Sequence, residues 1–145
     1  MPEMKTSVLL PVSVEKAWAV VSDFHRYEEW LTIHKGWKCE LPDVADVHAG
    51  IQVTEVISLM GMDNKVEWTL EEYEPLKRWK LTGTGLAGVQ ASIEMLVADV
   101  AGGAEVTIDA VFEGQMLVGA IGQAIEKNVQ LELEKSLGQL NELLV

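Results

Sequence analysis

From about Leu117 to Val145 the chain contains no proline, and Val118, Ile121, Ile125, Val129, Leu133, Leu137, Leu140 and Leu144 recur at steps of three and four. That spacing puts them on one stripe of an α-helix. At 1.5 Å per residue the helix is roughly 40 Å long, and its apolar stripe needs an equally long cover. The preceding sequence supplies one. After Gly50 the hydrophobic period falls to two: Ile51, Val53, Ile57 and Leu59 alternate with Gln52, Thr54 and Ser58, as strand residues do. Gly61-Met62-Asp63-Asn64 reads as a hairpin turn into a strand with Val66, Trp68 and Leu70 on one face.

Glu74-Pro75-Leu76 turns the chain again. Trp79 and Leu81 then alternate with Arg78, Lys80 and Thr82 up to a break at Gly83-Thr84-Gly85. Residues 88–99 and 104–113 form two longer strands joined by Ala101-Gly102-Gly103. At the N-terminus Val8, Leu9 and Leu10 make a short strand that stops at Pro11. Ser13 caps a helix whose Val14, Ala17, Trp18 and Val21 share one face. Asp23 caps a second helix, Phe24 to about Leu31, and residues 36–41 read as another short strand before the acidic turn at Pro42-Asp43. Strand, two short helices, a meander and one long terminal helix predict an α+β fold in which the helices lie on one face of a curved sheet.

The 145 residues suit one domain, residues 1–145, with no linker or repeat to divide them. The net charge is −12, and the whole acidic excess lies after residue 38. A surface of that sign repels phosphate backbones, which argues against nucleic-acid binding. The lone Cys39 excludes an intramolecular disulfide and a multi-cysteine zinc site. No apolar run approaches a membrane span, and Met1-Pro2-Glu3-Met4-Lys5-Thr6 has no export signature, so the expectation is a cytoplasmic protein without integral membrane association.

Three segments carry a resemblance: the helix start Val12-Ser13-Val14-Glu15-Lys16-Ala17-Trp18, the stretch Val21-Ser22-Asp23-Phe24-His25-Arg26-Tyr27-Glu28-Glu29-Trp30, and the turn Glu71-Glu72-Tyr73-Glu74-Pro75. Together with the element order they resemble the START-like (SRPBCC) superfamily, and within it the bacterial polyketide cyclase/dehydrase and lipid-transport branch. The resemblance implies a helix-grip fold, with a seven-stranded antiparallel sheet wrapped around the long C-terminal helix and two short helices after strand 1. It also implies an apolar ligand cavity between sheet and helix. Gly119, Ala120, Gly122 and Ala124 leave room near the start of that helix.

Several residues are candidates to line such a cavity. Tyr27, Trp30 and His34 sit at i, i+3 and i+7, so a second helix persisting that far presents them on one face beside Trp37, as a cavity mouth or as aromatic packing. Trp68 and Trp79 lie on inward faces of neighbouring strands, either stacking on a ligand or filling the core. Met60, Met62, Met95 and Met116 suit an adaptable apolar wall. Val53, Ile57, Ile121 and Ile125 complete the apolar lining. Glu55 shares the phase of Val53 and Ile57, so regular alternation puts a carboxylate inside, whereas a bulge turns it outward. Burial raises the pKa of such a carboxylate and makes Glu55 a possible acid/base group, and Glu55 and His34 are the catalytic candidates. Asn128 interrupts the helix stripe and offers a donor to a ligand carbonyl. His25 with Glu28 or Glu29 lacks a second histidine, so neither a metal site nor any cofactor is expected.

Three functions fit these residues. The first is binding of a hydrophobic small molecule: a lipid, an isoprenoid or a polyketide. The second is a polyketide aromatase/cyclase or dehydratase, which needs polar cavity groups to move protons. The resemblance implies cavity-facing arginines for an aromatase/cyclase. The chain has only Arg26 and Arg78, with Arg78 in the outward phase and Leu70, Glu72, Trp79, Leu81 and Gly83 inward. The third is an acidic interaction module built on Glu67, Glu71, Glu94, Glu105, Asp109 and Glu113.

Overall fold

The computed structural model describes residues 3–85, 88–115, 117 and 119–145. Met116 and Val118, assigned above to the apolar wall and the helix stripe, lie outside the described residues. Strands β1 (Glu3–Leu10), β2 (His34–Trp37), β3 (Gln52–Leu59), β4 (Met62–Glu74), β5 (Arg78–Thr84), β6 (Gln90–Val100) and β7 (Gly103–Glu113) form one antiparallel sheet in the order β1-β7-β6-β5-β4-β3-β2. Helices α1 (Val14–Val21) and α2 (Tyr27–Trp30) follow β1, and α3 (Gly119–Leu144) ends the chain. The chain leaves β1 through α1 and α2, reaches the far edge at β2, and meanders back until β7 closes beside β1. This is the helix-grip architecture that the periodicity and the resemblance imply. No helix among the described residues is long and apolar enough to cross a membrane.

Alternation decides which side chains enter the core. Val53, Glu55 and Ile57 on β3, Val66, Trp68 and Leu70 on β4, Trp79 and Leu81 on β5, and Ile93 and Met95 on β6 are all buried. Fully burying one such apolar side chain stabilises the fold by roughly 1.5–3 kcal/mol. Gly83 on β5 faces Trp68: a Cβ there sits 2.3 Å from the Glu67 carbonyl oxygen and 3.0 Å from the Trp68 ring. Only glycine lets the indole lie across that strand, and β5 runs straight through the expected break to Thr84.

Four local expectations are corrected. The second helix is not continuous: Asp23 Oδ1 accepts from His25 N at 3.0 Å and caps a single 3₁₀ turn, Phe24–Arg26, before the short α2. Leu31 is then extended, and Thr32 is held on α3 by its amide donating to Ser136 Oγ (2.9 Å) and its hydroxyl donating to the Glu132 carbonyl (3.0 Å). His34 therefore opens β2 instead of extending a helix face, and β2 ends at Trp37 instead of running to residue 41. The β3–β4 turn is Met60-Gly61, both at positive φ (54° and 78°), two residues earlier at its core than the expected Gly61–Asn64 turn.

The third correction lies in β4, where Leu70 pairs with Leu81 but Glu72 pairs with Lys80, so Glu71 is an extra residue and the facing pattern slips by one. Tyr73, not Glu72, then turns inward, with its ring 5.9 Å from that of Trp18. Glu72 faces out and pairs with Arg78. The fourth concerns α3. Val129, Leu133, Leu137, Leu140 and Leu144 are buried as expected, but at the helix start the inward residue is Gly122. Its absent Cβ permits a contact with the Leu117 backbone that a side chain forbids, at 2.5 Å from the carbonyl oxygen. Ile121 is consequently turned out and 63% exposed, so it does not line the interior.

Candidate functional site

Glu55 is the most unusual residue of the core. It lies between Trp37 on β2 and Val66 on β4, with no bulge on β3 to turn it away, and is 2% exposed. A carboxylate taken out of water costs several kcal/mol unless donors surround it. Two donors do. Trp68 Nε1 donates to Glu55 Oε1 at 2.9 Å, and His34 Nδ1 contacts Oε2 closely. Where Glu55 accepts through Oε2, Nδ1 is the donor of this contact and Nε2 is the other ring nitrogen. The His34 side chain is 3% exposed, so the pair is sealed within the protein.

Around this pair the aromatic residues form a continuous cage. The Tyr27 ring is edge-on to His34 (6.0 Å between centroids) and to Trp30 (5.7 Å), and stacks on Trp79 at 24°. Trp37 lies 5.0 Å from His34, and its indole N–H donates to the Phe24 carbonyl at 3.0 Å. Trp79 Nε1 donates to the Val21 carbonyl, also at 3.0 Å. Two donors inside the cage have no partner, the Tyr27 hydroxyl and Trp30 Nε1. Burial, reinforced by the Glu55 carboxylate and then Asp23, holds the Tyr27 phenol well above its ordinary pKa of 10.0, so it remains a hydroxyl donor at any physiological pH.

The structure thus gathers Tyr27, Trp30, His34, Glu55, Trp68 and Trp79 into one cluster, although His34 arrives there from a strand. Val53, Ile57 and Met95 pack into the same core. Side chains take up the space on the concave face: Val53, Ile57, Trp68, Trp79 and Met95 are each at most 3% exposed. Ile125 is half-buried under the first turns of α3, and Asn128 Oδ1 on the next turn is buried without a partner. Met60 and Met62 stand exposed at the β3–β4 tip and do not join the cluster. Sequence reasoning missed the seal of Ser136 and Thr32 between α2 and α3; a serine one residue before Leu137, on the helix stripe, was its only signal. Among the described residues no three His, Cys, Asp or Glu side chains gather as a metal site.

The outer face of the sheet is polar. Arg78 is shared by Glu72, Glu94 (2.9 Å) and Glu74 (3.5 Å) and is absent from the interior, in keeping with its outward phase. Among the described residues, hollows open on this face. One, of about 590 Å³, runs across β4 to β7 along Thr69, Thr82, Thr84, Gln90 and Ser92 between Glu67 and Glu113. Another, of about 360 Å³, lies at the β2 edge.

Comparison with known proteins agrees with this architecture. The chain is 34% identical over 137 residues to the Mycobacterium tuberculosis protein named Toxin Rv0910, covering 94% of each chain. It is also 34% identical over 143 residues to the uncharacterized protein Rv1546 of the same organism, covering 99% of each. A START superfamily protein from Mycobacterium smegmatis superposes with a TM-score of 0.79 over 98% of this chain and 96% of its own, at 15% identity, which speaks for the fold alone. The family model described as polyketide cyclase/dehydrase and lipid transport matches residues 1–145. The family and the helix-grip fold fit a domain that binds hydrophobic ligands, and the chain belongs to the polyketide cyclase/dehydrase and lipid-transport family.

Proposed function

We propose that the protein binds a hydrophobic small molecule, a lipid, an isoprenoid or a polyketide, between the concave sheet face and α3, with its polar end at Tyr27 and Trp30. The observation that carries this reading is two buried, unpartnered donors in the aromatic cage, the hydroxyl of Tyr27, whose ring is edge-on to His34, and Nε1 of Trp30, whose ring is edge-on to Tyr27. A buried donor without an acceptor costs about 1–3 kcal/mol, and a ligand oxygen accepting from it removes that cost. The apolar remainder of the ligand lies along Met95, Trp79 and Ile125. Entry requires the first two turns of α3 to give way. That segment is suited to doing so, because Ala120, Ile121 and Ala124 are exposed while the turns from Val129 onward are clamped by buried leucines.

Two measurements test the reading. Organic extraction of the purified protein followed by mass spectrometry identifies any retained lipid or polyketide. Titration with the fluorescent fatty acid cis-parinaric acid gives saturable binding, and Ile125→Trp, which puts a bulkier side chain where the ligand would enter under α3, weakens it by about tenfold or more, or 1.4 kcal/mol. Unsaturable fluorescence, the same in both proteins, overturns the proposal.

A second reading, a cyclase or dehydratase acting on a polyketide, is favoured by one observation. Where Nδ1 of His34 donates to Glu55, Nε2 is the base, the arrangement a general base needs. Turnover of a poly-β-ketone that disappears in both His34→Ala and Glu55→Gln supports it. Binding without turnover leaves the carrier reading alone.

A further inference from the structure

The β2 edge reverses the sign of an otherwise acidic outer surface. Three of the chain's eleven basic residues, Lys35, Lys38 and Lys65, line the hollow of about 360 Å³ there. Lys35 is bridged to Asp63 at 2.9 Å. Among the described residues neither Lys38 nor Lys65 pairs with a carboxylate, in a chain that carries 23 of them. The floor is made by Gly36 and Val56, which are register partners on β2 and β3. A Cβ on Gly36 meets nothing within 4 Å, so the hollow owes its depth to the side chain this residue lacks.

We infer that this hollow is a binding site for the phosphate group of a small ligand. Three ammonium groups against one carboxylate leave a local charge of about +2, which matches a phosphate monoester at neutral pH. Glu67 shares the outward face of β4 with Lys65, while exposed charges farther than about 8 Å are largely screened at physiological salt. Lysine ammoniums bind phosphate as point charges, without the bidentate fork that arginine supplies. Gly36 and Val56 open on the outer side of the sheet, opposite Glu55, and Trp37 is the one residue that both lines the hollow and touches the cage at His34.

The test is a titration of the ¹⁵N-labelled protein with inorganic phosphate at constant ionic strength, with chloride as the control. The expected result is saturable shifts of the Gly36, Lys38 and Lys65 amides that chloride does not produce. The double variant Lys38→Ala/Lys65→Ala weakens the apparent affinity about tenfold or more. Gly36→Val blocks the hollow with all three lysines retained and abolishes the shifts; an unchanged circular dichroism spectrum certifies that each variant folds. Sedimentation with phosphatidylcholine vesicles containing phosphatidic acid, whose headgroup is a phosphate monoester, against phosphatidylcholine vesicles alone, separates two sources of the same chemistry. Phosphate shifts together with lysine-dependent sedimentation assign a lipid headgroup, and phosphate shifts alone assign a soluble phosphate. Shifts that chloride reproduces, or that survive both variants, overturn the proposal.

Discussion

The sheet carries a charged cluster on each face, and the two are built differently. On the outer face Arg78 is shared among Glu72, Glu74 and Glu94, whose side chains keep between 22% and 60% of their exposure. All four side chains remain partly exposed, although Arg78 Nε itself is buried, so the cluster gains little from its contacts. On the inner face Glu55 is 2% exposed and depends wholly on Trp68 and His34. Replacing such a buried pair with apolar side chains of similar volume is often neutral or stabilising. Stability alone therefore gives no reason to keep a carboxylate there, whereas an outer ion pair needs no further reason than solubility. The proposed function takes the inner cluster as its working part and leaves the outer one as coat.

The largest expected effect breaks the inner cluster. Glu55→Ala strands the Trp68 indole N–H and removes the partner of His34, and urea denaturation should show a loss of about 3–5 kcal/mol. Arg78→Ala should cost about 1 kcal/mol or less, with the difference from wild type shrinking further in high salt. Equal losses at the two sites, or a salt-sensitive loss at Glu55, would remove the distinction between working site and coat.

How legible these clusters were follows from the kind of signal each sends. Alternation alone put Glu55 in phase with Val53 and Ile57 and Arg78 out of phase with Trp79 and Leu81, and both side chains face as that phase says. The meander and the α3 stripe from Val129 onward were readable for the same reason, since periodicity is a property of single elements. What escaped depended on events between elements. The extra residue in β4 turned Tyr73 inward in place of Glu72 because a bulge leaves alternation intact on either side of itself. Ile121 turned outward because Gly122 alone can meet the Leu117 backbone, a contact that no periodicity encodes. His34 reached the aromatic cage by a route the helical spacing did not describe. Its neighbours were right and its element was wrong, since the capped turn at Asp23 and the tie of Thr32 to Ser136 ended the helix early.

The smallest effect sharpens the comparison most, because it separates use from stability within the inner cluster. Tyr27→Phe removes a buried hydroxyl that has no partner, so at neutral pH it should raise stability by up to about 1 kcal/mol, while weakening any ligand that accepts from that hydroxyl. The same variant has a signature in alkali. The native phenol is held well above 10.0, whereas in the unfolded chain it ionises near its ordinary value. Above about pH 10 the unfolded state therefore binds fewer protons than the native state, and stability falls as pH rises, by up to about 1.4 kcal/mol per unit for this one group, until the native pKa is reached. Denaturation midpoints between pH 9 and 11 should fall less steeply in Tyr27→Phe than in wild type. A slope that is unchanged would mean that Tyr27 reaches water in solution, and the sealed cage around Glu55 would then have to open at Tyr27 and not at the first turns of α3.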